Sequence, residues 1–326
     1  MPRQARLDMP GALHHIMVRG LNKTDIFIDD QDKEQFLQRL GDNIIEGKCL
    51  VFAWTLMDNH VHILFRSGQQ GLSSVMRKLL TWYAQYFNRR HNRRGHLFEN
   101  RYKSILCQEE AYLLALIRYV HLNPLRAGMI KNISELDDYP WSGHSAIMGR
   151  KQCPWMDVDY ILRQFGEYEK AARSIYRSFM EEGVGLGSVP ELAGGGLVRS
   201  LGGWSHVVSA RRKGEQSDSD ERILGAGDFV NKILEEAEAR EARQLKLRRK
   251  GVGIAEIIAD ECRKSGISSD ELSAGSRRSK VSQARELIAL RGVKEFGFSA
   301  AEMARSLGVN TSSITRAIER AEAKLK

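Results

Sequence analysis

The chain lacks paired cysteines. Its four, Cys49, Cys107, Cys153 and Cys262, lie far apart and form no C-x-x-C motif. That excludes a disulfide framework and a zinc knuckle and fits a reducing cytoplasm. No apolar run approaches a membrane span, and the N-terminus has no signal-peptide core. There is no Walker-type phosphate loop, so nothing suggests nucleotide-driven work. No internal repeat is evident.

What is present is positive charge. The formal net charge of +9 favours a polyanionic partner. Without a membrane segment, nucleic acid is the better candidate and a cytoplasmic, nucleoid-associated protein the expectation. At 326 residues with 42% hydrophobic content, the chain can bury a real core and holds two domains, or one domain with an appendage.

The N-terminal half alternates strand and helix patterns. Residues 12–19 read as a strand whose parity periodicity does not settle. Asp30 to Ile45 is helical, with Phe36, Leu37, Leu40 and Ile44 on one side. Leu50 to Met57 and Val61 to Phe65 form a hairpin around the turn residues Asp58-Asn59. Leu72 to Arg90 and Glu109 to Leu122 are further helices. Together they predict an α+β sandwich. Residues 157–182 continue as helix. The Gly- and Ser-rich stretch 183–227 has linker composition, and a charged helix follows from Asp228 to Lys250.

Two short motifs carry chemistry. His60-Val61-His62 puts two imidazoles on one face of a strand. Tyr119 and Asn123 lie four apart, on one face of a helix. Brought together, they would hold a divalent metal by two histidines and an amide oxygen, beside a phenol. That is equipment for breaking a phosphodiester by covalent catalysis. The blander readings are a hydrogen-bonded histidine pair and a tyrosine packed among Leu113, Leu116, Ile117 and Val120. Tyr112, two turns before Tyr119, is a rival nucleophile. His121 points away from Tyr119 and reads as structural.

The segments His14-His15-Ile16-Met17-Val18-Arg19-Gly20, Asn59-His60-Val61-His62-Ile63-Leu64, Gly95-His96-Leu97-Phe98-Glu99-Asn100-Arg101-Tyr102 and Tyr119-Val120-His121-Leu122-Asn123-Pro124 occur in that order. Over residues 1–180 this resembles the REP-associated tyrosine transposases, the single-tyrosine branch of the HUH nucleases. The resemblance implies a ferredoxin-like antiparallel sheet with helices. It implies Tyr119 as nucleophile, His60, His62 and Asn123 as ligands of Mg²⁺ or Mn²⁺, and single-stranded or hairpin DNA as substrate, typically repeated palindromic elements. Attack would yield a 5′-phosphotyrosine and a free 3′-hydroxyl, so that a second 3′-hydroxyl could rejoin strands. A homodimer is left open.

Around these motifs, Arg93, Arg94, Arg101 and Lys103 supply cations, and Phe98 and Tyr102 stacking surfaces for unpaired bases. Arg126 and Lys131 after the Tyr119 helix, and Arg19 and Asn22 near the first strand, are phosphate candidates. The run Lys246, Arg248, Arg249, Lys250 serves phosphate contact or plain solubility equally well.

The C-terminal segment is distinct. Ser299-Ala300-Ala301-Glu302 is a capping box, Gly308-Val309 a turn, and Asn310 or Thr311 the cap of a helix with Ile314 and Ile318 inward. This is a helix-turn-helix layout. With the helix Ser279–Arg291 it is similar to the C-terminal DNA-binding domain of the replication initiator DnaA. Asn310-Thr311 stands where that domain carries Asp-His, so its sequence specificity does not transfer. Asn310, Thr311, Ser312, Ser313 and Arg316 are the expected contacts to duplex DNA. The expected organisation is a nuclease domain over 1–150, a helical extension over 151–182, a linker over 183–227 and an all-α domain over 228–326. The rivals are a rolling-circle replication or relaxase nuclease, and a DNA-binding regulator with a degenerate core.

Overall fold

The computed structural model describes residues 7–68, 71–186, 192, 220, 222–249, 253–273 and 278–324, with the side chains of 239–249 outside that description. The chain divides into two units, Met1–Lys232 and Ile233–Lys326.

The first unit opens with β1 (Leu13–Arg19), α1 (Asp30–Gly47), β2 (Leu50–Met57), β3 (His60–Arg66), α2 (Leu72–Arg90), β4 (Lys103–Cys107) and α3 (Glu109–His121). β1 pairs antiparallel with β3 and β4, and β2 antiparallel with β3, giving the order β2-β3-β1-β4. Each strand–helix–strand step therefore straddles an intervening antiparallel strand, which is the ferredoxin-like arrangement. The mixed α+β reading of the sequence is realised.

Local chemistry explains the elements. Asp29 caps α1 by accepting from the Asp32 amide at 3.1 Å, and Lys48 ends it in the left-handed region at φ 49°. α1 buries Phe36, Leu40 and Ile44, and α2 buries Leu79, Tyr83 and Phe87. The two helices pack together, with Phe36 edge-on to Tyr83 at 5.0 Å. Asp8 caps α2, accepting from Leu72 and Ser73 amides at 3.0 Å each.

After α3 come α4 (Asn123–Arg126), α5 (Ile133–Asp138), α6 (His144–Ile147), α7 (Val158–Arg163) and α8 (Glu169–Val184). Within the extension expected over 151–182, Ala172, Tyr176 and Met180 share one buried core with Leu116, Ile117 and Val120 of α3. The stretch expected as linker ends in ordered structure. Ile223–Leu224 is a strand, β5, paired parallel with Leu106 and Cys107 of β4. Two apolar residues fill an open sheet edge there. Within that stretch, residues 187–191, 193–219 and 221, including Gly194-Gly195-Gly196, fall outside the described residues. The other sheet edge is covered too. Along β2, Leu56 donates to the Trp141 carbonyl, Gly143 to that of Trp54 and Asp157 to that of Val51, at 2.9, 2.9 and 3.0 Å.

α9 (Gly227–Arg249) runs across the division between units. The basic run Lys246–Lys250 lies among the undescribed side chains. The second unit holds α10 (Ile254–Ser265), α11 (Ser269–Ser273), α12 (Ser279–Leu290), a π turn (Arg291–Glu295), α13 (Ala300–Ser306) and α14 (Thr311–Lys324). Its core is Val281, Ala284, Ile288, Met303, Leu307 and Ile314. The Ser299–Glu302 capping box is formed. A Cβ at Gly292 would lie 2.4 Å from Met303 Sδ, so a larger residue there requires the Met303 side chain to move. Buried Glu286 of α12 accepts from Arg320 at 2.6 Å and Lys324 at 2.7 Å, pinning α14. No helix among the described residues is long and apolar enough to cross a membrane.

Candidate functional site

Register sets the site. Met17 stands opposite His62 and Arg19 opposite His60, so His15, Met17 and Arg19 of β1 share one sheet face with His60 and His62 of β3. α3 covers this face. The Tyr119 ring stands edge-on to His15 at 5.6 Å and to His62 at 5.8 Å, while the His60 and His62 rings are 5.1 Å apart. The structure thus brings three of the four principal candidates within ring contact. The fourth, Asn123, opens α4 and donates from Nδ2 to the Tyr119 carbonyl at 2.8 Å, which leaves its amide oxygen for another partner.

Each histidine of the pair has one ring nitrogen engaged. His60 Nδ1 lies 2.6 Å from Asn59 Oδ1, and His62 Nδ1 lies 2.9 Å from His15 Nε2. In both rings Nε2 is the nitrogen that remains. Orienting bonds of this kind are what a metal-ligating imidazole requires on its far nitrogen. Burial, helped by the nearby Arg19 charge, pushes His60 down to about 4. Burial, then the neighbouring His15 and His60, holds His62 well below the ordinary imidazole value. Neutral rings are the ligating form. Among the described residues no group of three His, Cys, Asp or Glu side chains is arranged to hold a metal. A cation here would rest on His60, His62 and the Asn123 oxygen, with the remaining positions filled from outside. For a hard divalent ion that keeps water or phosphate oxygens, this donor set fits.

The phenol of Tyr119 is pushed above its usual value by burial, against the pull of Arg126 and Arg19. The Arg126 guanidinium lies 5.7 Å from the Tyr119 ring centre. Its Nε and Nη1 are buried with no hydrogen-bond partner among the described residues, and burial lowers its pKa. Tyr112 is placed elsewhere: burial raises its phenol in surroundings that include Cys107 of β4.

His15 is the residue sequence reasoning missed. Its signal was the His14-His15 doublet, which in any strand must put one imidazole on each face. His14 takes the other face, with Nδ1 3.1 Å from Ser104 Oγ.

The expected DNA contacts fall in three places. Arg19 and Asn22 are exposed, Asn22 at φ 51°, and Lys103, opposite Met17, emerges on the histidine face. A cleft of about 820 Å³ between α2 and the 95–102 loop is lined by Arg77, Leu80, Phe98, Arg101 and Tyr102, among others. Arg94 is exposed, while Arg93 lays its guanidinium 5.6 Å from the Phe87 ring centre. Tyr102 does not offer the open stacking face expected of it. It is 5% exposed, with its hydroxyl 3.2 Å from Ser73 Oγ, because packing against α2 claims the ring. In the second unit, Thr311, Ser312 and Arg316 are exposed on the first turns of α14. Asn310 serves as the cap: its Oδ1 accepts from the Ser313 amide and the Ser312 hydroxyl, both at 2.8 Å.

No curated protein matches the chain. A solved structure described as a REP-associated tyrosine transposase bound to a REP hairpin is similar at 17% identity. The match covers 49% of this chain and 90% of that one, with a TM-score of 0.38. The family model described as "Transposase IS200 like" matches residues 10–123. That stretch runs from the start of β1 through His15, His60, His62 and Tyr119 to Asn123, and over it the chain is similar to the IS200-like transposases.

Proposed function

We propose that the first unit is a divalent-metal-dependent, single-tyrosine DNA endonuclease and strand transferase acting on single-stranded or hairpin DNA. The observation that carries the reading is the placement of Tyr119 5.8 Å, ring to ring, from His62, with Asn123 hydrogen-bonded to Tyr119's own carbonyl. A phenol ringed by neutral imidazoles, with a carboxamide held at the end of its helix, has little to do for stability alone.

The chain's residues divide the work. Tyr119 Oη attacks phosphorus, the new O–P bond replaces the P–O3′ bond, and the phenolic proton ends on the departing 3′-oxygen. The products are a 5′-phosphotyrosine and a 3′-hydroxyl. The adduct keeps the phosphodiester's energy, so a second 3′-hydroxyl can reverse the step and join strands. Mg²⁺ or Mn²⁺ held by His60, His62 and Asn123 would supply polarisation of the scissile phosphate. Arg126, with unspent donors beside the phenol, faces the same developing charge. The cleft lined by Arg77, Leu80, Phe98 and Arg101 suits an unpaired base, with apolar wall and cationic rim.

The second unit is read as a duplex-binding helix-turn-helix, with Thr311, Ser312 and Arg316 towards DNA. It would raise the local concentration of the nuclease at its element and place the protein at the nucleoid.

The test is purified protein, Mn²⁺ and a pool of labelled single-stranded hairpins, resolved on a denaturing gel. A protein-linked label lost in Tyr119→Phe and in EDTA is expected. An adduct surviving Tyr119→Phe, or metal-independent duplex binding with no adduct, would overturn the reading.

A further inference from the structure

Behind the α3 helix, on the side away from Tyr119, runs a chain of buried polar groups drawn from four segments. Arg177 Nε of α8 donates to Asp137 Oδ2 at 2.9 Å. Asp137 Oδ1 lies 2.8 Å from His144 Nε2. His144 Nδ1 lies 2.9 Å from the Tyr176 hydroxyl, which in turn lies 2.9 Å from His121 Nδ1. Tyr176, His144 and His121 are fully buried and Asp137 is 7% exposed.

The partners dictate where the protons lie. An ionised Asp137 can only accept, so His144 carries its proton on Nε2. Burial keeps that ring below its ordinary pKa and so neutral, which leaves Nδ1 to accept from Tyr176 O–H. The Tyr176 oxygen then accepts from His121 Nδ1–H. His121 Nε2 is the bare end, buried and without a partner among the described residues. A Cβ at Gly143 would lie 3.0 Å from it, so no larger side chain is accommodated there without movement.

Both histidines of this chain are tied to the reaction's parts. His121 is the last residue of α3, between Tyr119 and Asn123, where helix gives way to α4. His144 follows Ser142 and Gly143. The Ser142 hydroxyl accepts from Thr55 at 3.2 Å, and Gly143 donates to the Trp54 carbonyl at 2.9 Å. Thr55 pairs directly with His62.

We propose that His121, Tyr176 and His144 form a positioning relay, which locks the end of the nucleophile helix to the strand beside the histidines. It thereby fixes Tyr119 and Asn123 against His60 and His62. The inference rests on the strand-transfer reading above and adds residues to it that touch neither DNA nor metal. A buried run of three polar side chains, one of them with a bare ring nitrogen, is weak evidence for stability, since apolar groups of the same shape would pack there. Its gain is a single defined geometry.

The experiment uses the full chain and Tyr176→Phe, which keeps the ring and deletes the shared hydroxyl. Single-turnover adduct formation at saturating hairpin DNA is expected to fall about tenfold or more, because small misplacements of a nucleophile are costly. The hairpin Kd is expected to stay within about twofold, since no DNA contact is removed. His121→Asn, which keeps a donor near the Nδ1 position, is expected to recover most of the rate that His121→Leu loses. An unchanged rate in Tyr176→Phe, or equal rates for the two His121 variants, would overturn the relay. A second readout needs no cleavage: 3-fluorotyrosine placed at 119 should give one narrow ¹⁹F line in the parent and a broadened or split one with Tyr176→Phe. Identical lines would overturn the relay as well. A parent chain that forms no adduct would sink the strand-transfer reading, while the fluorine line still decides the relay.

Discussion

Tyr119 and His62 meet within one chain, ring centres 5.8 Å apart. The pairing needs no second copy, and among the described residues both sheet edges are at least partly covered. β2 is bonded along its outer side to residues 141–157, and β4 carries β5 over Leu106 and Cys107.

Cleavage is therefore expected in cis. Mixing Tyr119→Phe with His62→Ala should give no phosphotyrosine adduct at any ratio. Each protein would lack a group that the other cannot lend. Recovery of adduct in the mixture, approaching a quarter to a half of parental activity, would show that a partner's tyrosine enters the site.

His15 contributes through His62. Its Nε2 lies 2.9 Å from His62 Nδ1 and its ring stacks on His62 at 5.2 Å. His15→Gln keeps a polar side chain but loses the stacked ring and the aligned nitrogen. Such orienting partners are worth about 10- to 100-fold in metal affinity. The Mn²⁺ concentration for half-maximal adduct formation should rise by that factor, while hairpin binding in EDTA stays unchanged. An unshifted Mn²⁺ titration would make His15 a packing residue only.

These particulars show what a single sequence could and could not convey. His60 and His62 were legible because a strand repeats every two residues, and Tyr119 with Asn123 because a helix brings i and i+4 together. His15 was not, since strand parity over residues 12–19 depends on a register set by β3 and β4, distant in sequence. β5 was hidden by its length: two apolar residues give no periodicity in a Gly- and Ser-rich stretch. The Asp137–His144–Tyr176–His121 chain joins separate segments, and no local pattern announces such a meeting. His121 looked structural from its place on the helix, and its burial agrees, yet its partners only appear once α8 folds back.

Arg126 stands 5.7 Å from the Tyr119 ring centre, with Nε and Nη1 unpaired among the described residues. Buried donors left unspent beside a nucleophile are costly unless charge arrives to meet them. Arg126→Met keeps the stem and removes the charge. The single-turnover rate should fall about 10²-fold, the usual loss for one preorganised donor to a developing oxyanion. Folding stability should hold or rise. A rate within twofold of the parent would limit Arg126 to packing against the phenol.

Acid should loosen the second unit through Asp260. Its carboxylate accepts from Lys264 and from Arg291, both at 2.8 Å, and these cations hold its pKa down to about 2. A folded value below the unfolded one of about 4 means that the stabilisation is complete above that unfolded value. It fades as pH falls from about 4 towards 2. All five tryptophans, Trp54, Trp82, Trp141, Trp155 and Trp204, precede residue 233, so tryptophan fluorescence follows the first unit while far-ultraviolet dichroism follows both. On acid titration the dichroism of the parent should carry a component with no fluorescence counterpart. In Asp260→Asn the pair with Lys264 and Arg291 is weakened at every pH, so that component should already be less heat-stable at neutral pH. It should also depend less on acid below about 4. An acid transition unchanged in Asp260→Asn would assign it to other carboxylates, with Glu286, pinned between Arg320 and Lys324, the next to substitute.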